Sequence, residues 1–348
     1  MIDKDFCLSS YIAYRYIYKD DVDFYENMHH KLIKPIPIKK RIKVTTSNDI
    51  DHEINKQFNE LYQKYSKIGI LLSGGQDSAI LASYLKPGSN AYTFSTSLSK
   101  VYYDDIDRAK KYCKKYRLKH HLIDINFDDY KNYSPIVMES KCAPVHSIEP
   151  QIYKAAINAK ENGDELIIVG ESSDLIFGGM NQLLSKDWDF DEFVNRYTFL
   201  NPNLVLKNPA DVSGLFEKYR LSNNKINFLQ FMDDVFSIES SSSYFNAFGA
   251  AGMSYYDPYA KLIMAEPLDL KRIRNGEPKY LIRNLFAKKY PNIPIPDKIP
   301  MPRPVDIIFK NWSGPTRPEF KKDIPMDQLT GNQKWQLWCA EQFLNKYD

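Results

Sequence analysis

Apolar positions along this chain fall into short continuous runs separated by amphipathic stretches, the pattern of buried strands alternating with helices. Ile68 to Leu72 is one such run; it breaks at Ser73-Gly74-Gly75 and continues into Asp77-Ser78-Ala79-Ile80-Leu81-Ala82, a good helix opening. Asn90 to Ser95, Leu118 to Ile125 and Leu166 to Val169 are further strand-like segments. Tyr103 to Arg117 places Ile106, Ala109 and Cys113 at core spacing for a helix, and Ile148 to Asn162 is also helical in pattern. Strands separated by helices of this length predict an α/β fold whose parallel sheet is flanked by helices on both faces. From Trp188 onward the pattern changes to long helix-compatible stretches. Their aromatics, among them Phe190, Phe193, Phe228, Phe231, Tyr244 and Phe248, read as core of a helical C-terminal portion. Asn292 to Pro304 is too rich in proline for a helix or a central strand.

The turn after the first run carries chemistry. Gly74 and Gly75 let backbone N–H groups approach a ligand closely, and Ser73 and Ser78 add hydroxyl donors. The helix N-terminus supplies unsatisfied N–H groups and partial positive charge. Together they form an anion cradle suited to a phosphate chain. No Gly-Lys-Ser/Thr follows the glycines, so this is not a Walker A loop. The carboxylate of Asp77 would repel phosphate unless a divalent cation lay between them, so the loop predicts a nucleotide triphosphate and Mg²⁺ together. A second strand, Leu166 to Val169, ends in Gly170-Glu171-Ser172-Ser173-Asp174, and acids at strand ends beside a phosphate-binding turn are where open α/β sheets place their chemistry.

Strand-SGGQDS-helix resembles the pyrophosphate loop of the N-type ATP pyrophosphatases, the adenine nucleotide alpha hydrolase-like fold. With Gly170-Glu-Ser-Ser-Asp-Leu-Ile-Phe-Gly-Gly-Met180, it resembles the synthetase domain of asparagine synthetase and its relatives, β-lactam and carbapenam synthetase, where the second motif reads close to GEGSDExFGGY. The resemblance implies that Ser73, Gly74, Gly75, Gln76, Ser78 and Gly170 hold the nucleotide and that Asp77 and Asp174 bind Mg²⁺. It gives Glu171 the place of a glutamate that helps deprotonate the incoming nitrogen. Lys279-Tyr-Leu-Ile-Arg283 looks like the family's K-x-x-L-R helix, with Lys279 facing phosphates and Arg283 behind it. The 292–304 segment corresponds to an active-site loop, usually R-P-K-x-x-F. Here Met301-Pro-Arg303 puts arginine in the lysine's place, unless Lys298 serves. The family's Glu-x-Arg-x-Pro-Phe-Leu-Asp block appears as Ser254-Tyr-Tyr-Asp-Pro-Tyr259, which argues against aspartate as the acceptor.

These readings divide the chain into a helical lead-in at 1–60, an ATP-pyrophosphatase core at 61–186 and a helical, substrate-closing portion of the same domain at 187–348. The family's glutaminase domain opens with a nucleophilic cysteine after the initiator Met. Position 2 here is Ile2, so the expectation is a synthetase domain without that partner domain. Cys7 lies in a helix-like segment and reads as packing.

Composition narrows the alternatives. The net charge is +3 on 348 residues, with no basic block, so electrostatic nucleic-acid binding is not indicated. The cysteines at 7, 113, 142 and 339 form no CxxC pair, and neighbouring His29-His30 and His120-His121 chelate poorly if they lie on strands. No span or signal pattern stands out, and a cytoplasmic location is expected. The function implied is an ATP-dependent amide-forming ligase of asparagine synthetase type. It would adenylate a carboxylate on a small molecule or sugar acid and take nitrogen from ammonia, an amine or a separate glutaminase subunit. The alternatives are a tRNA-modifying ATP pyrophosphatase and a degenerate nucleotide-binding partner protein.

Overall fold

A computed structural model describes residues 1–99, 103–297 and 300–348 of the chain. Among the described residues the seven strands are β1 (Ile42–Val44), β2 (Ile68–Leu71), β3 (Asn90–Ser95), β4 (Lys119–Asp124), β5 (Leu166–Ile168), β6 (Tyr255–Tyr256) and β7 (Leu262–Met264). Five of them make one sheet in the order β4-β3-β2-β5-β6, and every pairing in it is parallel. β1 and β7 pair separately, also in parallel.

The side-chain period of two explains why both faces of the sheet are covered. Ile68, Ile70 and Leu72 join one apolar cluster with Leu166 and Ile168, while Leu71, Ile167 and Val169 belong to the other. Helices α2 (Ser47–Lys64), α3 (Gln76–Ala82) and α4 (Tyr103–Tyr116) contribute to the first cluster, joined by the helix Tyr280–Lys289. The second is built from α1 (Lys4–Tyr14), α5 (Phe127–Lys141), α6 (Glu149–Glu161) and the helices Ser237–Ala251 and Gly331–Tyr347. Phe190, Phe193, Phe228, Phe231, Tyr244 and Phe248 are all buried there, as the aromatic pattern predicts.

Elements outside the sequence expectations include the pair β1 and β7, α5 and β6. α5 carries Pro135 in its interior, which disguises it; a complete capping box, Asn126 with Asp129, starts it nonetheless. β6 is the strand hidden in the altered 254–259 block, and it extends the sheet beside β5. None of the described helices is long and apolar enough to cross a membrane.

The strand order places the site. The chain runs from β2 outward to β3 and β4, then returns to β5 on the other side of β2. That reversal is a topological switch point, where the turns leaving adjacent strands diverge and leave a crevice at their carboxyl ends. The turns leaving β2 and β5 are Ser73–Asp77 and Gly170–Asp174, so both motifs open on the same crevice.

Candidate active site

The loop after β2 is braced from inside and outside. Ser73 N–H donates to Ser78 Oγ at 3.1 Å, the two hydroxyls lie 2.9 Å apart, and Gly75 N–H donates to Ser73 Oγ at 3.1 Å. Both serines therefore hold the loop's shape. From α4, Arg108 Nε and Tyr112 OH donate to the Gly74 carbonyl at 3.1 and 3.2 Å, and Arg108 is itself tied to Asp105 at 2.6 Å. Gly74 permits this approach: a Cβ there would lie 2.6 Å from the Cα and the carbonyl oxygen of Asp105.

Asp77, in the first turn of α3, and Asp174, in the first turn of α7 (Ser173–Ile176), converge on one cation. The ammonium of Lys279 lies 2.5 Å from Asp77 Oδ2 and 2.7 Å from Asp174 Oδ1. Ser173 Oγ donates to Asp77 Oδ1 at 2.6 Å, and Tyr259 OH donates to the Asp77 carbonyl at 3.1 Å. Lys279 is only 5% exposed. Burial alone would lower its pKa, but the two carboxylates outweigh it and raise the value above that of a free lysine. It caps the helix Tyr280–Lys289 in left-handed backbone, φ 53°, a conformation that costs a non-glycine residue on the order of 1 kcal/mol.

Gly179 makes room for this triad. A Cβ there would collide with Asp174 Oδ1 and stand 2.6 Å from Lys279 Cδ. Gly179→Ala is therefore expected to lower stability by about 1–3 kcal/mol, as overpacking does, and to reduce activity with it. Urea denaturation checks the first effect; an alanine variant as stable as wild type would show that the triad is loosely packed.

A cavity of about 440 Å³ lies above these groups, lined by the Ser73–Ser78 loop, Gly170, Glu171, Asp174, Lys279 and Arg283. Pro296, Asp297, Pro300, Met301 and Pro302 of the proline-rich segment line it too, so that segment does reach the crevice. Arg303 is not among the residues that line this cavity, and its charge acts on Glu239 and His146. Lys298, the other candidate for the loop cation, lies outside the described residues. Glu171 is half-buried and meets the Tyr244 hydroxyl, whose pKa is pushed well above the ordinary range by burial and then by this carboxylate.

Asp257, in the altered block, was not legible as a site residue. Its carboxylate accepts Ser172 N–H at 2.8 Å and Tyr259 N–H at 3.0 Å, bracing the turn that carries Glu171. Burial pushes its pKa up to about 6 despite these bonds. Because the folded pKa lies above the unfolded value of about 4, this group adds stability in acid and loses it as pH rises through 6. Asp257→Asn stays neutral, so its stability relative to wild type should increase between pH 4 and pH 6. Denaturation midpoints across that range test this, and parallel curves for the two proteins would contradict it. Tyr259, Ser173, Asp105 and Arg108 also escaped the sequence reading, because only contacts distant along the chain reveal their roles.

Cys7 is fully buried and its thiol donates to the Val22 carbonyl at 3.6 Å. Burial first, then Asp23, pushes its pKa to about 12, which suits packing and not nucleophilic chemistry. Iodoacetamide should leave Cys7 unmodified in the native protein and label it after denaturation, as read by peptide mass spectrometry. His120 and His121 engage separate partners, Thr93 at 2.8 Å and Asn90 at 3.0 Å.

Among solved structures, the U34-tRNA thiolase NcsA from Methanococcus maripaludis is similar over 86% of this chain and 79% of its own, with 16% identity and a TM-score of 0.32. The NMN synthetase of Francisella tularensis is similar over 74% of this chain and 100% of its own, at 11% identity and a TM-score of 0.29. The NH3-dependent NAD synthetase of Campylobacter jejuni covers the same shares at 15% identity and a TM-score of 0.28. Comparison with curated proteins by sequence returns no match. A family model described as asparagine synthase matches residues 50–233, which is more than half of the 348-residue chain and includes the SGGQDS loop, both acids and Glu171, so the protein belongs to the asparagine synthase family.

Proposed function

We propose that this protein is an ATP-dependent, AMP-forming ligase that joins a carboxylate to a nitrogen nucleophile. The observation that carries the reading is the convergence of Asp77 and Asp174, from two separate turns, on a single cation at the floor of the cavity. Such a pair is a cation site by construction, and here the ammonium of Lys279 stands in it. Two carboxylates are hard oxygen donors of the kind Mg²⁺ takes alongside phosphate oxygens. Asp77 and Asp174 would hold the ion, which would offset charge on the ATP phosphates.

The chain's own residues supply the rest. The Ser73–Ser78 loop and the N-terminus of α3 cradle the pyrophosphate portion. Lys279, displaced from the carboxylates, offers its charge to phosphate, and Arg283 lies along the same cavity wall. The acceptor carboxylate attacks the α-phosphorus, the bond to the β-phosphate breaks, and pyrophosphate leaves. A neutral amine then attacks the mixed anhydride: the C–N bond forms, the C–O bond to AMP breaks, and the amine proton passes to Glu171. A carboxylate is suited to that role because an amine attacks only without its proton. Positioning and fixed charge supply most of the acceleration in such transfers.

The test is the identity of the products. Purified protein given ATP, Mg²⁺ and its acceptor should release AMP and pyrophosphate, and ADP with orthophosphate would overturn the reading. Salt-dependent tRNA binding would favour a tRNA-modifying ATP pyrophosphatase. ATP binding with no turnover under any acceptor would favour a nucleotide-binding partner protein.

A further inference from the structure

A second chamber of about 240 Å³ adjoins the nucleotide cavity, and the two share Val169, Glu171, Leu175 and Tyr244 as walls. One water needs only about 10–15 Å³ by this kind of measure, so the chamber is many times larger than ammonia requires. Its lining surface is largely apolar and includes Ile33, Ile36, Tyr255 and Tyr256 besides the shared wall residues. Two carboxylates reach it, Glu171 and Asp257. Of the cations on its wall, Arg41 is held by Asp233 and the Ile36 carbonyl, both at 2.9 Å, and Lys261 lies over the Tyr256 ring at 4.9 Å, while Lys34 is exposed at the edge.

We propose that this chamber seats the nitrogen donor, and that the donor is a primary amine carried on an apolar body. Its nitrogen lies toward Glu171 and its body between the tyrosines and the 33–36 segment. Ammonia gains nothing from an apolar wall, whereas an organic amine gains in proportion to the apolar surface it buries. The amine arrives as an ammonium ion, so the two carboxylates attract it; it returns that first proton to solvent as it is seated, and Glu171 takes the second when the C–N bond forms. Glu171, common to both walls, sets the nitrogen at the edge of the nucleotide cavity. The inference rests on the ligase reading given above.

Ligand-observed NMR with benzylamine as probe, in the presence of ATP and Mg²⁺, tests it on the full chain. Benzylamine should bind wild-type protein, and benzyl alcohol about tenfold more weakly, the factor expected when a charge-assisted contact is lost. Ser241 lines only this chamber, so Ser241→Trp, or the smaller Ser241→Phe, should abolish benzylamine binding while leaving ATP affinity and melting temperature unchanged. Absent benzylamine binding, equal binding of the alcohol, or binding that survives both filled variants would each overturn the proposal. A failure to bind ATP would instead remove the ligase reading itself, so the two failures are distinguishable.

Discussion

Replacing Lys279 by methionine should destabilise the protein at pH 7 by about 3–5 kcal/mol, the range for removing one partner of a buried ionic group. The ammonium is bonded to Asp77 at 2.5 Å and Asp174 at 2.7 Å, and methionine retains the apolar stem without the charge. Two carboxylates would then face one another in a site where Lys279 is 5% exposed. In wild type the folded pKa of Lys279 lies above its ordinary value, so its stabilisation is complete at neutral pH. It is lost only as pH rises past the range of a free lysine. In the variant the pH dependence moves to the acid side. Like charges at one site raise the pKa of the first carboxylate to protonate. The deficit should therefore shrink as pH falls from 7 toward 5. Millimolar Mg²⁺ should also raise the variant's melting temperature more than that of wild type, because it restores a cation between the acids. Denaturation midpoints at the two pH values decide the matter: a deficit independent of both pH and Mg²⁺ would mean that the lysine acts by packing alone.

The second large effect is on turnover. Asp77→Asn and Asp174→Asn should each slow ATP-dependent pyrophosphate release by about 10²–10³-fold, the cost typical of losing one preorganised electrostatic contact to the reacting groups. The amides preserve shape and each variant leaves Lys279 one carboxylate, so each should melt below wild type but by less than Lys279→Met does. The double variant should be little slower than the worse single one, since residues acting as a unit are not additive. Either single variant turning over at the wild-type rate would show that the pair does not serve the ATP phosphates.

These expectations draw on residues of differing legibility. β3 is found at Asn90–Ser95, the segment that reads as strand-like in the sequence, and β2 ends one residue before the predicted Leu72. The helix after β3 occupies Tyr103–Tyr116 against a predicted Tyr103 to Arg117. Such segments are readable because hydrophobic period is a local property of the chain. α5 was not readable, since Pro135 argues against a helix locally while its burial against α6 and the C-terminal helix favours one. β6 has two residues, too few for a period, and exists because β5 offers it a parallel edge.

The same division runs through the site. Ser73 to Ser78 and Gly170 to Asp174 could be singled out because a strand, a glycine turn and a helix start are consecutive in each, and consecutive residues determine their own backbone geometry. That Asp77 and Asp174 share one cation, that this cation is Lys279 more than two hundred positions from Asp77, and that Asp257 braces the turn bearing Glu171 depend on contacts between distant segments. The sequence by itself determined the parallel α/β core and the two glycine-bearing turns, because period and turn chemistry act over a few residues. Only the tertiary structure decided which charges meet and which walls enclose the second chamber, because those depend on the strand order that brings the two turns to one crevice.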